Sequence, residues 1–472
     1  MFTVQKISKI VVSIFLSLIS LSTSFSGQNT PLQKNMSQKK VFPNGLTLIY
    51  QKDESSAITF LQILIKGGTG VVPEGKDGLA YMTTRLSIDI PDRGKIQELM
   101  KQASRIHMNC KGDYSLINLN CLSENLEDSL KVLIKIIKKP LFSGLRIGRI
   151  KEFMSHQSKA INDDPTIMAN NAHLQSFFGK TAYGSSVYGT EDSLKAIKKK
   201  DIEGFYKKHF KAGNMIVSVS SDLDEKVLIE LVQKYFSKFT PGKAEEVKPG
   251  GAILPEEKYI FHEKDTKQTL ISIAFPLPEP TPKNFVLAHM VENLLGKGVD
   301  SKLWFLRSKK KLAYNVNSYA TQMKEGGILN AYLETENKNL DTALDALKEV
   351  LLSLHEKGIT EEELQATKTN TKAYFLRGNE TKERRVSTLS YFAVVGLGHE
   401  FLDQFPAEID AVNLEEINSY LKEILNPEKG ADVIIGPKIE KDLPPSQKNW
   451  GQSPILMKST SSKRRSAGEK TV

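Results

Sequence analysis

The sequence contains little cysteine, tryptophan or histidine, with two, two and eight of these residues in 472. Two cysteines are too few for a small protein that is stabilised by disulfides. A chain that is 40% hydrophobic and 25% charged is neither disordered nor a coiled coil. Its length provides core for more than one domain. No two histidines lie within one helical turn, and no Cys-x-x-Cys occurs, so the common local zinc motifs are excluded.

An apolar run covers residues 10–21 near the N-terminus. Lys6 and Lys9 precede it, and Ser24-Phe25-Ser26 follows it, which is the arrangement of a secretory signal peptide over residues 1–26. The run is shorter than the about 20 residues that span a bilayer, so an uncleaved anchor is the less favoured alternative. The sequence therefore predicts an exported protein, periplasmic in a bacterium or secreted, with no stable membrane insertion.

Acidic residues are outnumbered, with 55 Asp and Glu against 65 Lys and Arg and a formal charge of +10. The N-terminal stretch carries +2 and residues 438–472 carry +5, so +3 remains for the body. This distribution does not indicate a nucleic-acid-binding domain. Residues 438–472, rich in Ser, Lys and Pro, are expected to form a flexible basic tail.

Both cysteines fall on one predicted hairpin, whose turn is Lys111-Gly112-Asp113. This turn places Cys110 opposite Ser115 and leaves Cys121 six residues further along, roughly 20 Å away at about 3.3 Å per residue. That separation is beyond the reach of a disulfide. We expect two separate thiols packed as small apolar residues.

The chain contains two related halves. Asp53 and Asp265 end similar tripeptides beside extended segments and lie 212 residues apart. Amphipathic helices are predicted to begin at Leu126 and Leu340, which lie 214 residues apart. Nearly equal offsets indicate duplication of a unit of about 200 residues, which is too long for a solenoid repeat. Hairpins within each half favour antiparallel pairing, so the predicted class is α+β.

The predicted domain boundaries follow from composition. Pro-Gly pairs interrupt the charged residues 241–256, as is typical of a linker. This places one domain at residues 37–240 and the second at residues 257–437, between the signal peptide and the tail.

Short motifs in both halves resemble the insulinase-like zinc peptidases, which include pitrilysin and the mitochondrial processing peptidase. They occur in the family's order over residues 37–437, and they comprise residues 42–46, 67–68, 75–80, 295–298 and 306–314. The resemblance implies two homologous α+β halves, each a mainly antiparallel sheet packed with helices, that close as a clamshell on a peptide-binding chamber.

Active members carry His-x-x-Glu-His directly after such a glycine-containing approach, so that two imidazoles hold zinc and the carboxylate activates water. Here the same positions hold Tyr81, Thr84 and Arg85, and none is a good zinc donor. The family's third ligand is a glutamate on a later helix, and residues 153–157 contain none. The resemblance therefore implies a degenerate metal site, with no metal or cofactor bound by this chain.

Two histidines fall near the degenerate site. His156 lies near the lost third-ligand position, but zinc needs at least three donors, so we expect a solvated or hydrogen-bonded side chain. His107 stands where family members usually place an asparagine in the strand that faces the catalytic water. The catalytic side of the first half thus departs from the family pattern.

The second half retains Arg307 and Tyr314, at the positions of the family's Arg/Tyr pair that contacts bound peptide near the scissile bond. Both side chains donate hydrogen bonds, which suits a backbone carbonyl and the charge that develops on it. The alternative is an arginine near a helix C-terminus and an ordinary strand tyrosine. Lys309-Lys310-Lys311 between them reads as a solvated turn.

Some members of the family are heterodimers in which one chain keeps zinc and the other keeps the Arg/Tyr pair. The pattern here matches the second role. We expect a non-catalytic subunit, inactive alone, that pairs with a zinc-binding chain of the same family and acts on unstructured peptides. The alternative is a stand-alone peptide-binding or scaffolding pseudopeptidase, because a lone active zinc peptidase would need ligands that the sequence lacks.

Overall fold

The computed structural model describes residues 36–90, 93–179, 181–244, 246 and 248–438. The predicted signal peptide and all but Lys438 of the predicted basic tail lie outside these residues. Among the described residues, no helix combines the length and the apolar composition that crossing a bilayer requires.

The first sheet has six strands, in which one neighbouring pair is parallel and the other four pairs are antiparallel. Their bounds are β1 (Gln38–Val41), β2 (Thr47–Lys52), β3 (Ile58–Ile65), β4 (Arg105–Cys110), β5 (Ser115–Leu122) and β6 (Met215–Ser221). The order across the sheet is β1-β2-β6-β3-β5-β4, and the parallel pair is β2 with β6.

The second sheet repeats this arrangement without the first edge strand. Its strands are β7 (Tyr259–Glu263), β8 (Gln268–Leu277), β9 (Asn315–Met323), β10 (Gly326–Glu336) and β11 (Ala431–Gly436). They lie in the order β7-β11-β8-β10-β9, with β7 and β11 parallel. This order is that of β2, β6, β3, β5 and β4, so the predicted α+β class with two homologous, mainly antiparallel halves is confirmed.

Helices follow the same plan in both halves. The first half contains α1 (Leu79–Ser87), α2 (Arg93–Lys101), α3 (Leu126–Lys138), α4 (Gly144–Ile161), α5 (Pro165–Phe178), α6 (Glu191–Ala196), α7 (Lys199–His209) and α8 (Glu225–Phe236). The second contains α9 (Pro282–Gly296), α10 (Trp304–Ser308), α11 (Leu340–Lys357), α12 (Glu361–Gly378), α13 (Lys382–Val395), α14 (Phe401–Ala411) and α15 (Leu414–Ile424). The predicted helix starts Leu126 and Leu340 begin α3 and α11, each after a single 3-10 turn.

The two halves exchange one helix. Helix α5 of the first half packs on β8 and β11, where the buried His173 hydrogen-bonds through Nε2 to Ser272 Oγ at 3.0 Å. Helix α13 of the second half packs on β3 and β6, where Ser390 Oγ lies 2.7 Å from Ser218 Oγ. Each sheet is therefore covered in part by the other half, and the hydrophobic core continues across the boundary.

The cysteines behave as expected. Cys110 lies opposite Ser115 in the β4–β5 pair, whereas Cys121 pairs with Thr59 on β3. Both thiols are free and buried, and burial raises the pKa of each to about 11. At neutral pH both are protonated and act as packing groups, so the prediction of two separate thiols is confirmed.

Candidate functional site

Helix α1 carries the three positions of the degenerate metal motif. It begins after Gly78, whose φ of +90° favours glycine and where a Cβ atom would meet the Met154 methyl group at 2.8 Å. Tyr81 is 7% exposed, Thr84 is fully buried, and Arg85 is half-buried. The face that would hold a metal is therefore mostly closed to solvent.

Apolar packing fills the space beside these positions. Tyr81 belongs to a cluster with Met82, Cys110 and Met154, and its ring centroid lies 4.7 Å from that of Tyr188. Burial raises the pKa of Tyr81 to about 12, so its phenol stays protonated at neutral pH. A protonated phenol is a poor ligand for zinc, which is bound by thiolate, imidazole or carboxylate.

The remaining polar groups at this site do not supply a donor set. Thr84 Oγ1 is buried and without a hydrogen-bond partner, and Arg85 is a cation near Tyr81. Helix α4, which packs on α1, turns Ile147, Ile150 and Met154 toward the same cluster. The residues present here therefore do not fit a zinc ion.

The two neighbouring histidines are both exposed or partly so. His156 lies on the exposed side of α4, as expected for a solvated histidine. His107 lies on the edge strand β4, where its Nε2 is 2.9 Å from Asn118 Nδ2 and 3.8 Å from Glu383 Oε1 on α13. Across the described part of the chain, no group of three or more His, Cys, Asp or Glu side chains could hold a metal ion.

A cavity of about 890 Å³ lies between the two halves. Its walls include the β4–β5 turn, helix α5 and the end of strand β9. Asp113 accepts a hydrogen bond from the Tyr183 hydroxyl and another, at 3.0 Å, from the backbone N–H of Lys324. Burial raises the pKa of Asp113 against the effect of these donors. The cavity thus combines aromatic and polar walls, which suits a peptide.

Arg307 and Tyr314 lie outside this cavity and make separate contacts. Arg307 lies in the last turn of α10, with its guanidinium 4.7 Å from the ring centroid of Trp304, and its side chain is exposed. Tyr314 precedes β9, is 52% exposed, and donates its hydroxyl to Glu336 Oε1 at 2.9 Å. That hydrogen bond raises the pKa of Tyr314. The structure therefore presents both donors at the surface, without joining them to each other.

Comparisons with known proteins address the family directly. Residues 196–371 match the family described as Peptidase M16 inactive domain. A non-peptidase homolog, YmxG of Helicobacter pylori, is 23% identical over 387 residues, which cover 79% of this chain and 88% of that protein. Residues 196–371 therefore match the inactive domain of the insulinase-like, or M16, peptidases, and the similarity to a relative extends over most of the chain. The family that the sequence resembles is thus supported, and the matched description is that of an inactive domain.

Solved structures share the M16 fold. The crystal structure of a peptidase M16 inactive domain from Pseudomonas fluorescens is similar with a TM-score of 0.78 and 20% identity, covering 86% of this chain and 99% of that one. The first half of the periplasmic protease PqqL from Escherichia coli is similar with a TM-score of 0.72 and 14% identity, covering 93% and 98%. These likenesses establish the fold of both halves.

The M16 repeat reveals a helix that the sequence analysis missed. Leu287-Ala288-His289-Met290 on α9 repeats Leu79-Ala80-Tyr81-Met82 on α1 at an offset of 208 residues. The second half therefore carries His289, Glu292 and Asn293 where the first carries Tyr81, Thr84 and Arg85. A search for His-x-x-Glu-His cannot find this pattern, because its last position is asparagine. Alignment of the two halves would have shown it.

Proposed function

We propose that this M16 member is the non-catalytic, substrate-binding subunit of an exported zinc metallopeptidase heterodimer. In this proposal Arg307 and Tyr314 complete the zinc site of a partner chain of the same family, which hydrolyses unstructured peptides. The chain alone is inactive.

One contrast supports this function. Of the positions of the lost metal motif, Tyr81 is packed into an apolar cluster and Thr84 is buried. By contrast, Arg307 and Tyr314 are exposed on the second half. A guanidinium and a phenol that are held at a surface remain available to a substrate bound between two chains, where they would donate to a carbonyl oxygen. The PqqL structure is one half of a longer protease, which supports the pairing of such a unit with a second one.

Export is part of the same proposal. The pattern of residues 1–26 supports it, since lysines, an apolar run and small residues follow one another as in a secretory signal peptide. The PqqL protease, whose first half is similar in structure to this chain, is described as periplasmic, which also supports export.

The test uses this chain alone and together with a same-family chain that carries His-x-x-Glu-His. We expect cleavage of an unstructured peptide only by the pair. Arg307→Ala is expected to lower kcat of the pair by about 100-fold, since losing one donor to a developing oxyanion typically has that effect. Tyr314→Phe, which removes only the hydroxyl, should lower kcat less.

Matched controls separate this role from general surface effects. Tyr235 donates to Glu127 at 3.1 Å on the surface of the first half, much as Tyr314 donates to Glu336. Tyr235→Phe should leave kcat unchanged, as should replacement of the exposed Arg149 by alanine. A partner that is fully active without this chain, or variants of Arg307 and Tyr314 that match these controls, would refute the composite site.

The second candidate is a stand-alone peptide-binding pseudopeptidase. The cavity of about 890 Å³ within this single chain favours it, because a chamber already exists without a partner. Peptide binding by the isolated chain, combined with no effect on the activity of any co-expressed zinc-binding relative, would select this function over the heterodimer.

A further inference from the structure

A second pocket, of about 390 Å³, lies within the second half between α9, α12, α13 and α14. Its position corresponds to that of the degenerate metal site. Helix α9 follows β8 as α1 follows β3, and α12 packs on α9 as α4 packs on α1. Unlike its counterpart, this site is open.

Three charged or titratable side chains contact one another at one end of the pocket. Glu292 Oε2 lies 3.0 Å from His289 Nδ1, and Glu292 Oε1 lies 3.3 Å from Lys297 Nζ. Burial acts to raise the pKa of Glu292, but its contacts with His289 and Lys297 outweigh burial and lower the pKa. The Lys297 ammonium already neutralises the carboxylate, so a bound cation would find no free counter-charge here.

Two amide oxygens in the pocket wall have no partner. Asn293 donates through Nδ2 to His289 O at 2.8 Å, and Asn379 donates through Nδ2 to Phe375 O at 2.9 Å. Each amide is thereby fixed with its Oδ1 buried and without a hydrogen-bond partner among the described residues. Asn293 is 7% exposed. A buried acceptor without a donor is costly, so a ligand that brings a donor would be favoured.

The other walls are aromatic. Phe285, Tyr374, Phe375 and Phe405 line the pocket and provide flat apolar surface against which a ring can pack. A neutral hydrogen-bond donor on an aromatic body suits the walls and can pair with one of the two orphaned amide oxygens. Among amino-acid side chains, the phenol of tyrosine and the indole of tryptophan have this combination.

The pocket adjoins the cavity between the halves, because His289 and Tyr391 line both. A peptide in the larger cavity would therefore lie next to this pocket. We infer that this pocket is a subsite for a tyrosine or tryptophan side chain of a bound peptide, which donates to Oδ1 of Asn293 or of Asn379. This inference rests on the proposed function, since it takes the ligand of the cavity to be a peptide.

The experiment measures binding of unstructured peptides to the full chain by fluorescence anisotropy, with one position varied as Tyr, Trp, Phe or Ala. We expect the Tyr and Trp peptides to bind about tenfold more tightly than the Phe peptide, because Phe fills the pocket but leaves the acceptors unpaired. The Ala peptide should bind most weakly.

Variants connect this preference to the pocket. Removal of the oxygen that accepts the bond, by Asn293→Ala or by Asn379→Ala, should bring the Tyr-to-Phe affinity ratio toward one. Asn284→Ala, which removes an amide of α9 outside the pocket, should leave the ratio unchanged. Asn379 is only half-buried and follows α12, so its variant keeps the test available if Asn293→Ala does not fold.

The outcomes separate the two proposals. Peptide binding without preference for Tyr or Trp, or a preference that survives both variants, would overturn the subsite and leave peptide binding intact. No binding of any peptide, by this chain alone or with its partner, would overturn the proposed function and the subsite together.

Discussion

Helices α1 and α9 occupy equivalent places in the two halves, but the side chains at their motif positions have different surroundings. In α1 the positions of the metal motif are packed against an apolar cluster, and Thr84 keeps a buried hydroxyl with no partner. In α9 the equivalent positions hold a closed network of His289 and Glu292 with Lys297, beside an open pocket. The same place in the fold thus carries apolar packing in the first half and an ion pair between Glu292 and Lys297 in the second.

The largest expected effect comes from breaking the network on α9. Glu292→Leu leaves the Lys297 ammonium without its carboxylate partner. Removing one partner of a buried ion pair typically costs about 3–5 kcal/mol. We expect a loss of this size in the free energy of unfolding, measured by urea denaturation. The double variant Glu292→Leu/Lys297→Met should recover most of it, since apolar replacement of both partners is often neutral. A double variant as unstable as the single one would show that packing, not charge, was lost.

The exchanged helices give a pH-dependent comparison. Burial lowers the pKa of His173 to about 3, from 6.5 in the unfolded chain. Between these values only the unfolded chain binds the proton, so stability falls as pH decreases below about 6.5, by about 1.4 kcal/mol per pH unit for this group. His173→Gln should remove that part of the slope, measured by denaturation from pH 4 to 7.

The reciprocal contact provides the control for this slope. Ser390 on α13 meets Ser218 through hydroxyls that do not titrate, so Ser390→Ala should cost about 1 kcal/mol equally at every pH. His209, whose pKa burial lowers to about 4, retains its own share of the acid sensitivity in both variants. An unchanged slope in His173→Gln would contradict the assignment to this histidine.

The smallest effect is expected at α1. Thr84→Val removes a buried hydroxyl that has no partner, so the free energy of unfolding should stay the same or rise by up to about 1 kcal/mol. Thr59→Val is the matched control, because the Thr59 hydroxyl contacts Ser123 Oγ at 2.8 Å and Ser221 Oγ at 2.5 Å. That variant should destabilise the protein in the same denaturation assay. Equal losses in both would mean that Thr84 has a polar role in the site.

The sequence was sufficient for those features that depend on local pattern. The two offsets identified equivalent points of both halves, and the hairpin turn placed Cys110 opposite Ser115. Helix exchange could not be predicted, because an amphipathic pattern shows that a face is buried but not which sheet covers it. The contact of Tyr314 with Glu336 likewise depends on tertiary structure, because the two residues lie 22 positions apart. The contact of Arg307 with Trp304 is local, since the two residues lie three positions apart on one helix.

The exchanged helices also bear on how such a chain could arise. A single unit of about 200 residues would leave its sheet uncovered by the helix that belongs to the other half, and it would expose His173 or Ser390 with no partner. Two identical copies could satisfy both contacts by trading helices as a symmetric dimer. The exchanged contacts of the present chain are those expected if two such subunits were fused into one polypeptide.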